Sequence, residues 1–223
     1  MEQENMNFGK RSGKFESSGG GKFRGIKAGK YQTAGDDTLK KSVLVYLHDF
    51  VFWVVAILLI FLLLFRVVVV SGPSMNKTLV HGDYLLLINN VFYTEPKQGD
   101  IVVASKDSFK NGEPIIKRVI ATEGQWVDID FDAGVVYVNG TALDEPYVNT
   151  PTNLYEGVNF PIMIDEGCVF LMGDNRNASS DSRNPDIGEV DKREILGKAI
   201  FLVLPGIDPD TEKQNYSRIG ALS

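Results

Sequence analysis

The stretch Phe50–Phe65 reads FVFWVVAILLIFLLLF and contains no charged or strongly polar side chain. It lies within a mostly apolar segment, residues 43–70, which is interrupted by His48, Asp49 and Arg66. An α-helix needs about 20 predominantly apolar residues to cross the hydrocarbon core of a bilayer. The sequence therefore predicts one transmembrane anchor within residues 43–70.

A cleavable signal peptide or the buried helix of a soluble protein could also produce an apolar segment of this kind. A signal peptide begins close to the N-terminus and has an apolar part of about 7–15 residues. Here the apolar part is longer and follows a polar segment, residues 1–42. Tyr46, Trp53 and Arg66 are residue types that suit the two membrane interfaces. We therefore expect a membrane helix over roughly residues 44–66.

The charges divide at the anchor. Residues 1–42 carry nine Lys and Arg against five Asp and Glu, whereas residues 67–223 carry thirteen against twenty-three. Because positive flanking charge stays on the cytoplasmic side, we expect a cytoplasmic N-terminus and an extracytoplasmic remainder at the plasma membrane. The acidic remainder argues against nucleic acid as a partner. Residues 1–42 contain eight glycines and little apolar periodicity, so we expect them to be disordered.

Short runs rich in Val, Ile and aromatic residues follow the anchor, separated by Gly and Asp. Such runs predict β-strands, here Tyr84–Ile88, Ile101–Ala104, Ile115–Ala121, Trp126–Ile129, Val135–Val138 and Val169–Met172. Asn139-Gly140 predicts a tight hairpin turn. We expect a mostly β, coiled-sheet or barrel-like domain over residues 71–205, followed by a loose polar tail over residues 206–223.

Metal and disulfide chemistry find little support in the composition. The one cysteine, Cys168, excludes an internal disulfide and a cysteine-rich zinc site. The run Asp128-Ile-Asp130-Phe-Asp132 is similar to a calcium loop, but its glycine falls one position late and no acid occupies the twelfth position. We expect no metal and no cofactor.

Three segments could carry chemistry, and the first is SGPSMNKTL at 71–79. A serine hydroxyl is a poor nucleophile unless a base and donors for an oxyanion are close to it. Gly72 and Pro73 favour a turn that would expose the hydroxyl and the amide of Ser74. Taken alone, the segment is also typical of an ordinary serine-rich turn.

The second segment, PIIKRVIA at 114–121, places two cations inside an apolar strand. Side chains alternate between the faces of a strand, so Lys117 shares a face with Ile115 and Val119 while Arg118 points the other way. Burial lowers the pKa of a lysine by as much as about 3–5 units, which makes a neutral general base possible. An edge strand whose lysine reaches water would produce the same pattern.

The third segment, GDNRNASSDSR at 173–183, follows a predicted strand and combines Asp, Asn, Ser and Arg. It could form ion pairs and orient another side chain, or it could be a polar surface loop.

Together these segments resemble the type I signal peptidases. Their motif Ser-Met-x-Pro-Thr-Leu is similar to Ser74–Leu79, and Gly-Asp-(Ile/Val)-Val is similar to Gly99–Val102. Lys-Arg-Val followed by a glycine-containing turn is similar to Lys117–Val119 with Gly124. Gly-Asp-Asn-Arg and Ser-x-Asp-Ser-Arg are similar to residues 173–176 and 179–183. The motifs occur in the family's order, and the resemblance covers about residues 44–205.

The resemblance implies a membrane-bound serine endopeptidase that removes signal peptides from exported preproteins. It assigns the nucleophile to Ser74 and the general base to Lys117, with Ser179 as a hydroxyl that orients the lysine. It further implies that Asp174 and Asp181 pair with Arg118 and Arg183. The expected partners are signal peptides and the lipid bilayer, and we expect a monomer.

The chain departs from the family pattern near the nucleophile. Lys77 replaces the usual proline, so a second lysine lies three residues from Ser74 and leaves the choice of base open. Gly72 occupies a position where some members supply a serine hydroxyl to the oxyanion hole, which would leave the Ser74 amide as the assigned donor.

Two other function classes remain as alternatives. Ser74-Met-Asn-Lys77 also fits Ser-x-x-Lys of penicillin-binding and β-lactamase-like enzymes, which additionally carry Ser-Asp-Asn and Lys-Thr-Gly. Neither of those motifs occurs in this sequence. A non-catalytic extracytoplasmic binding module would account for the anchor and the β content, but it gives no reason for Lys117.

A Ser-His-Asp triad would have to use His81, seven residues from Ser74.

Overall fold

A computed structural model describes residues 34–222, and side chains from residue 41 on. The chain divides into one compact unit that ends at Asp49 and a second that starts at Phe50. Helix α1 covers Ala34–Leu64. Its part Lys41–Leu64 has a mean hydropathy of 2.6 and is the one helix among the described residues that is long and apolar enough to cross a membrane. At 1.5 Å per residue these 24 residues span about 36 Å, which exceeds the hydrocarbon core of about 30 Å.

The predicted disorder of residues 1–42 lies mostly outside the described residues. At its C-terminal end the prediction differs from the structure, because α1 already begins at Ala34. Helix propagation needs less free energy than nucleation, so the long apolar helix extends into a polar segment that contains Leu39, Lys40 and Lys41.

The anchor boundary at residue 70 is also corrected, because α1 ends at Leu64 and Phe65–Val69 forms strand β1. β1 pairs antiparallel with β2, Tyr84–Asn89, with Val67 opposite Leu86. β-branched valines favour strands. A short apolar run of this kind cannot be assigned to helix or strand from periodicity alone, so the sequence pattern does not separate it from the anchor.

The second unit is mostly β, as predicted. The other strands are β3 Ile101–Ala104, β4 Ile115–Thr122, β5 Trp126–Asp130, β6 Val135–Val138, β7 Thr141–Ala142, β8 Ile162–Met163, β9 Cys168–Met172, β10 Val190–Asp191, β11 Ile195–Leu204 and β12 Gly220–Ala221. One curled sheet has the order β1-β2-β11-β3-β4-β9-β10, with β12 paired to β11, and a smaller sheet has the order β7-β6-β5-β8. All six predicted strands are present, and Asn139-Gly140 forms the predicted turn between β6 and β7.

Apolar side chains from both sheets form the core that fixes the site. One cluster joins Met75 and Leu79, from the loop between β1 and β2, to Leu85, Leu87 and Val103 of the sheet. The nucleophile candidate Ser74 therefore precedes a residue that is buried in the core.

The predicted loose tail is corrected for residues 206–222. β12 pairs with Phe201 and Leu202 of β11, and Arg218 forms an ion pair with Asp83. The segment is polar in composition, but its backbone completes the sheet and its arginine neutralises a buried carboxylate. Such distant pairing leaves no local signal in the sequence.

Candidate active site

Ser74 lies on the loop that leaves β1, directly after a turn at Gly72, whose φ is +90°. That conformation favours glycine. The Asn76 amide donates to the Pro73 carbonyl (3.0 Å) and the Leu79 amide to the Met75 carbonyl (2.8 Å). Because Met75 is buried, these bonds hold Ser74 at the surface of the core with its side chain half-buried.

Lys117 is in β4, opposite Val102 of β3, and only 3% of it is exposed. Its Nζ lies 2.7 Å from Ser74 Oγ, within hydrogen-bond distance. The structure thus brings together the two residues to which the resemblance assigns the nucleophile and the base.

Burial lowers the pKa of the Lys117 amine from 10.5 to about 8, because a charged ammonium loses its hydration there. The carboxylates of Asp181 and Glu156 oppose this fall in pKa, whereas Arg183 and Lys110 add to it. A substantial fraction of the amine is consequently neutral near pH 8 and can accept a proton.

The predicted pairing of Arg118 with Asp174 is present. Arg118 Nη2 and Nε donate to Asp174 Oδ2 and Oδ1 at 2.8 and 2.9 Å, and both side chains are almost fully buried. Asp174 Oδ2 also accepts from the Thr78 hydroxyl (2.5 Å). The ion pair therefore reaches the loop that carries Ser74.

Asp181 and Arg183 also form the predicted pair, with Nε 2.8 Å from Oδ1, and neither side chain is exposed. The hydroxyl of Ser179 donates to Asp181 Oδ2 (2.8 Å). The resemblance implies that Ser179 orients Lys117 directly, but its observed partner is this carboxylate. Asp181 is also the acid that most strongly raises the pKa of Lys117, so Ser179 hydrogen-bonds a carboxylate that influences the lysine.

The loop after β9 contacts the nucleophile segment through its backbone. The amide of Asn175 donates to the carbonyl of Ser74 (3.0 Å), and its side chain donates to the carbonyl of Pro73 (3.1 Å). A Cβ at Gly173 would lie 2.2 Å from Ser179 Oγ and 2.5 Å from the Ser74 carbonyl oxygen. A glycine is required there because the two loops approach so closely.

The comparisons with known proteins agree with this geometry. Residues 43–204 match the family described as signal peptidase, peptidase S26. The chain belongs to this signal peptidase family. A signal peptidase I of Bacillus licheniformis is 36% identical over 174 residues, covering 74% of this chain and 91% of the relative. Signal peptidase I T of Bacillus subtilis (strain 168) is 34% identical over 184 residues, covering 78% and 93%.

Membership in the signal peptidase family confirms the resemblance found in the motifs. It makes the chain a serine-type peptidase and favours neither the penicillin-binding class nor a non-catalytic binding module. Together with the apolar helix, it indicates a membrane-anchored protein.

Two further charged residues of this signal peptidase were not predicted from the sequence. Arg176 is fully buried, forms an ion pair with Glu145 and donates to the Thr152 hydroxyl (2.8 Å). Glu156 lies close enough to Asp181 and Lys117 to influence the pKa of the lysine. A dense arginine motif could have suggested the Arg176 pair, whereas Glu156 lies in a loop without any recognisable pattern.

The other two candidate bases named from the sequence, Lys77 and His81, are exposed. Lys77 is exposed, in contrast to the buried Lys117. His81 is exposed too, and its Nδ1 accepts from the amide of Gly72 (3.3 Å). Among the described residues, no group of three or more His, Cys, Asp or Glu is arranged to hold a metal ion.

A cleft of about 570 Å³ leads to the two catalytic candidates. Val68–Val70 and Ile115–Lys117 are among the residues that line it. β1 is an edge strand, and β9 pairs with β4 from Arg118 onward, so in the described part of the chain both lining segments offer backbone groups to the cleft. An extended peptide fits such a site.

Proposed function

We propose that this protein removes signal peptides from exported preproteins by a Ser/Lys dyad mechanism. The observation that carries the proposal is the 2.7 Å distance from Lys117 Nζ to Ser74 Oγ, combined with the almost complete burial of the lysine. The names of the relatives supply the substrate class.

In the proposed mechanism, neutral Lys117 accepts the hydroxyl proton of Ser74 as Oγ attacks the scissile carbonyl carbon. The Ser74 amide donates to the oxyanion of the tetrahedral intermediate. The Lys117 ammonium then gives its proton to the departing amine, and the C–N bond breaks. Water, activated by the same amine, releases the signal peptide from the acyl-enzyme.

The cleft supports an extended substrate that adds to the free edges of β1 and β4. Family likeness suggests small side chains at the first and third positions before the cut. The apolar lining segments Val68–Val70 and Ile115–Ile116 would receive alternate side chains of such a strand.

Proposed supporting roles follow from the contacts. Arg118–Asp174 and Arg183–Asp181 hold the loop after β9, and Ser179 positions Asp181. Gly72 forms the turn before Ser74.

The N-terminus would be cytoplasmic and the peptidase domain extracytoplasmic, because the positive charge precedes the helix. This arrangement places the site on the side where signal peptides emerge. Protease added to intact spheroplasts should digest the domain and spare the N-terminal segment; protection of the domain would contradict the orientation.

The direct test is cleavage of a preprotein by full-length Ser74→Ala, Lys117→Ala and Lys77→Ala in detergent. We expect the first two to lose cleavage, whereas Lys77→Ala, a matched substitution of an exposed lysine, should retain it. Full activity of Ser74→Ala would exclude the serine mechanism. Labelling of Ser74 by a β-lactam that persists in Lys117→Ala would indicate the penicillin-binding class instead.

A further inference from the structure

The nucleophile loop, residues 70–83 between β1 and β2, is held by a segment that lies beyond the residues matched by the family model. The match ends at residue 204. Gly206 and Arg218 form hydrogen bonds with the loop between β1 and β2, and Leu222 packs against the apolar core cluster to which that loop contributes. Leu222 packs against the core cluster that contains Met75 and Leu79, and its amide donates to the Ile200 carbonyl (2.9 Å).

The centre of this contact is Asp83, whose side chain is completely buried. Its Oδ1 accepts from the Gly206 amide (2.7 Å) and from Arg218 Nη1 (3.0 Å). Its Oδ2 accepts from the Val80 amide (2.8 Å) and from Arg218 Nη2 (2.6 Å). One carboxylate thus joins two amides to a bidentate arginine.

Arg218 also contacts the loop directly. Its Nη2 donates to the carbonyl oxygen of Thr78 (3.1 Å), and the hydroxyl of Thr78 donates to Asp174. Arg218 is 19% exposed, so water screens the pair with Asp83 only weakly. The loop is therefore fixed from the Asp174 side and from the Arg218 side, a few residues after Ser74.

We propose that Arg218 is a positioning residue, which holds the Thr78–Asp83 part of the nucleophile loop so that Ser74 Oγ stays within reach of Lys117. The proposal rests on the proposed Ser/Lys function. A mispositioning of about 1 Å can slow a reaction by about 100-fold, so the geometry is sensitive to the loss of such a contact.

The test compares full-length Arg218→Met, Arg218→Lys and Arg193→Met. Arg193 pairs with Asp191 on the surface and is 89% exposed, which makes it a matched control. We expect Arg218→Met to lower kcat by about 10- to 100-fold with KM within about twofold. Arg218→Lys keeps the charge but not the forked geometry, so its kcat should lie between those of Arg218→Met and the wild type. The kcat of Arg193→Met should equal that of the wild type.

Hydrogen exchange distinguishes positioning from a general loss of stability. In Arg218→Met, amides of Leu79 and Gly82 should exchange faster, while those of β4 around Lys117 stay protected. An unchanged kcat, or equally faster exchange throughout the domain, would overturn the proposal. The exchange readout needs no activity, so a wild type that fails to cleave preproteins would refute the proposed function separately.

Arg218→Met leaves a buried carboxylate without its cation and could fail to fold. The double variant Asp83→Asn/Arg218→Met removes the charge as well as the ion pair. We expect it to fold and to keep a low kcat. If it folds and cleaves at the wild-type rate, the positioning role is refuted.

Discussion

Lys117 Nζ and Ser74 Oγ lie 2.7 Å apart, although 43 residues separate them in the chain. Strand pairing of β4 and core packing of the loop after β1 bring them together. The short distance provides a proton path, and burial of the lysine lowers its pKa so that a fraction of the amine is neutral at moderate pH. Both conditions have consequences that can be measured.

The first prediction concerns the pH dependence of cleavage. Burial sets the pKa of Lys117 at about 8, and the proposed mechanism requires the neutral amine. We expect kcat/KM to rise with pH through a midpoint near 8 and to level off above it. Initial rates on a preprotein between about pH 6 and 10 measure this. A midpoint near 6.5 that disappears in His81→Ala would assign the base to histidine instead.

The second prediction concerns stability. The pKa of Lys117 falls from 10.5 to about 8 on folding, so the unfolded chain binds more protons between these values and stability decreases as pH falls through this window. The decrease amounts to about 3 kcal/mol and is complete below about pH 8. Lys117→Met should therefore be inactive yet more stable than the wild type at pH 7, by up to this amount. Denaturant unfolding of both proteins at about pH 7 and pH 10.5 measures this difference in the free energy of unfolding. A difference that is as large at pH 10.5 as at pH 7 would contradict the prediction.

The third prediction concerns Gly173. A methyl group there would lie 2.2 Å from Ser179 Oγ and 2.5 Å from the Ser74 carbonyl oxygen, so Gly173→Ala must displace the nucleophile loop. We expect kcat to fall by at least about 100-fold. Gly220→Ala is the control, since its Cβ would meet nothing within 4 Å. Steady-state kinetics on both variants measure the change in kcat. A fully active Gly173→Ala would show that the loop after β9 and the loop that carries Ser74 can separate freely.

The fourth prediction concerns the buried ion pair. Asp174→Asn removes the carboxylate that faces Arg118 and should destabilise the domain by about 3–5 kcal/mol. It should also lower activity, because Thr78 of the nucleophile loop donates to the same carboxylate. The isosteric change Glu95→Gln affects an exposed carboxylate that lies 4.0 Å from Lys192 and should leave the unfolding midpoint unchanged. Equal midpoints for all three proteins would argue against a structural role of the pair.

Several features could be predicted from the sequence because their signals are local. An uninterrupted apolar run indicates a membrane helix wherever the chain places it, and short β-branched runs indicate strands. The motifs around Ser74, Lys117 and Asp181 indicated the family, and the strand alternation indicated that Lys117 and Arg118 face opposite sides.

Other features depend on strand pairing between distant residues, and only the tertiary structure decided them. Phe65–Val69 is a strand because it pairs with β2, and the tail is ordered because it pairs with β11 and forms an ion pair with Asp83. The hydrogen bond from Ser179 to Asp181 likewise depends on the folded loop. The sequence by itself determined which residues could react. The fold buries Lys117 and places it within hydrogen-bond distance of Ser74. Only the tertiary structure could decide this, because desolvation and hydrogen-bond geometry arise when segments far apart in the chain pack together.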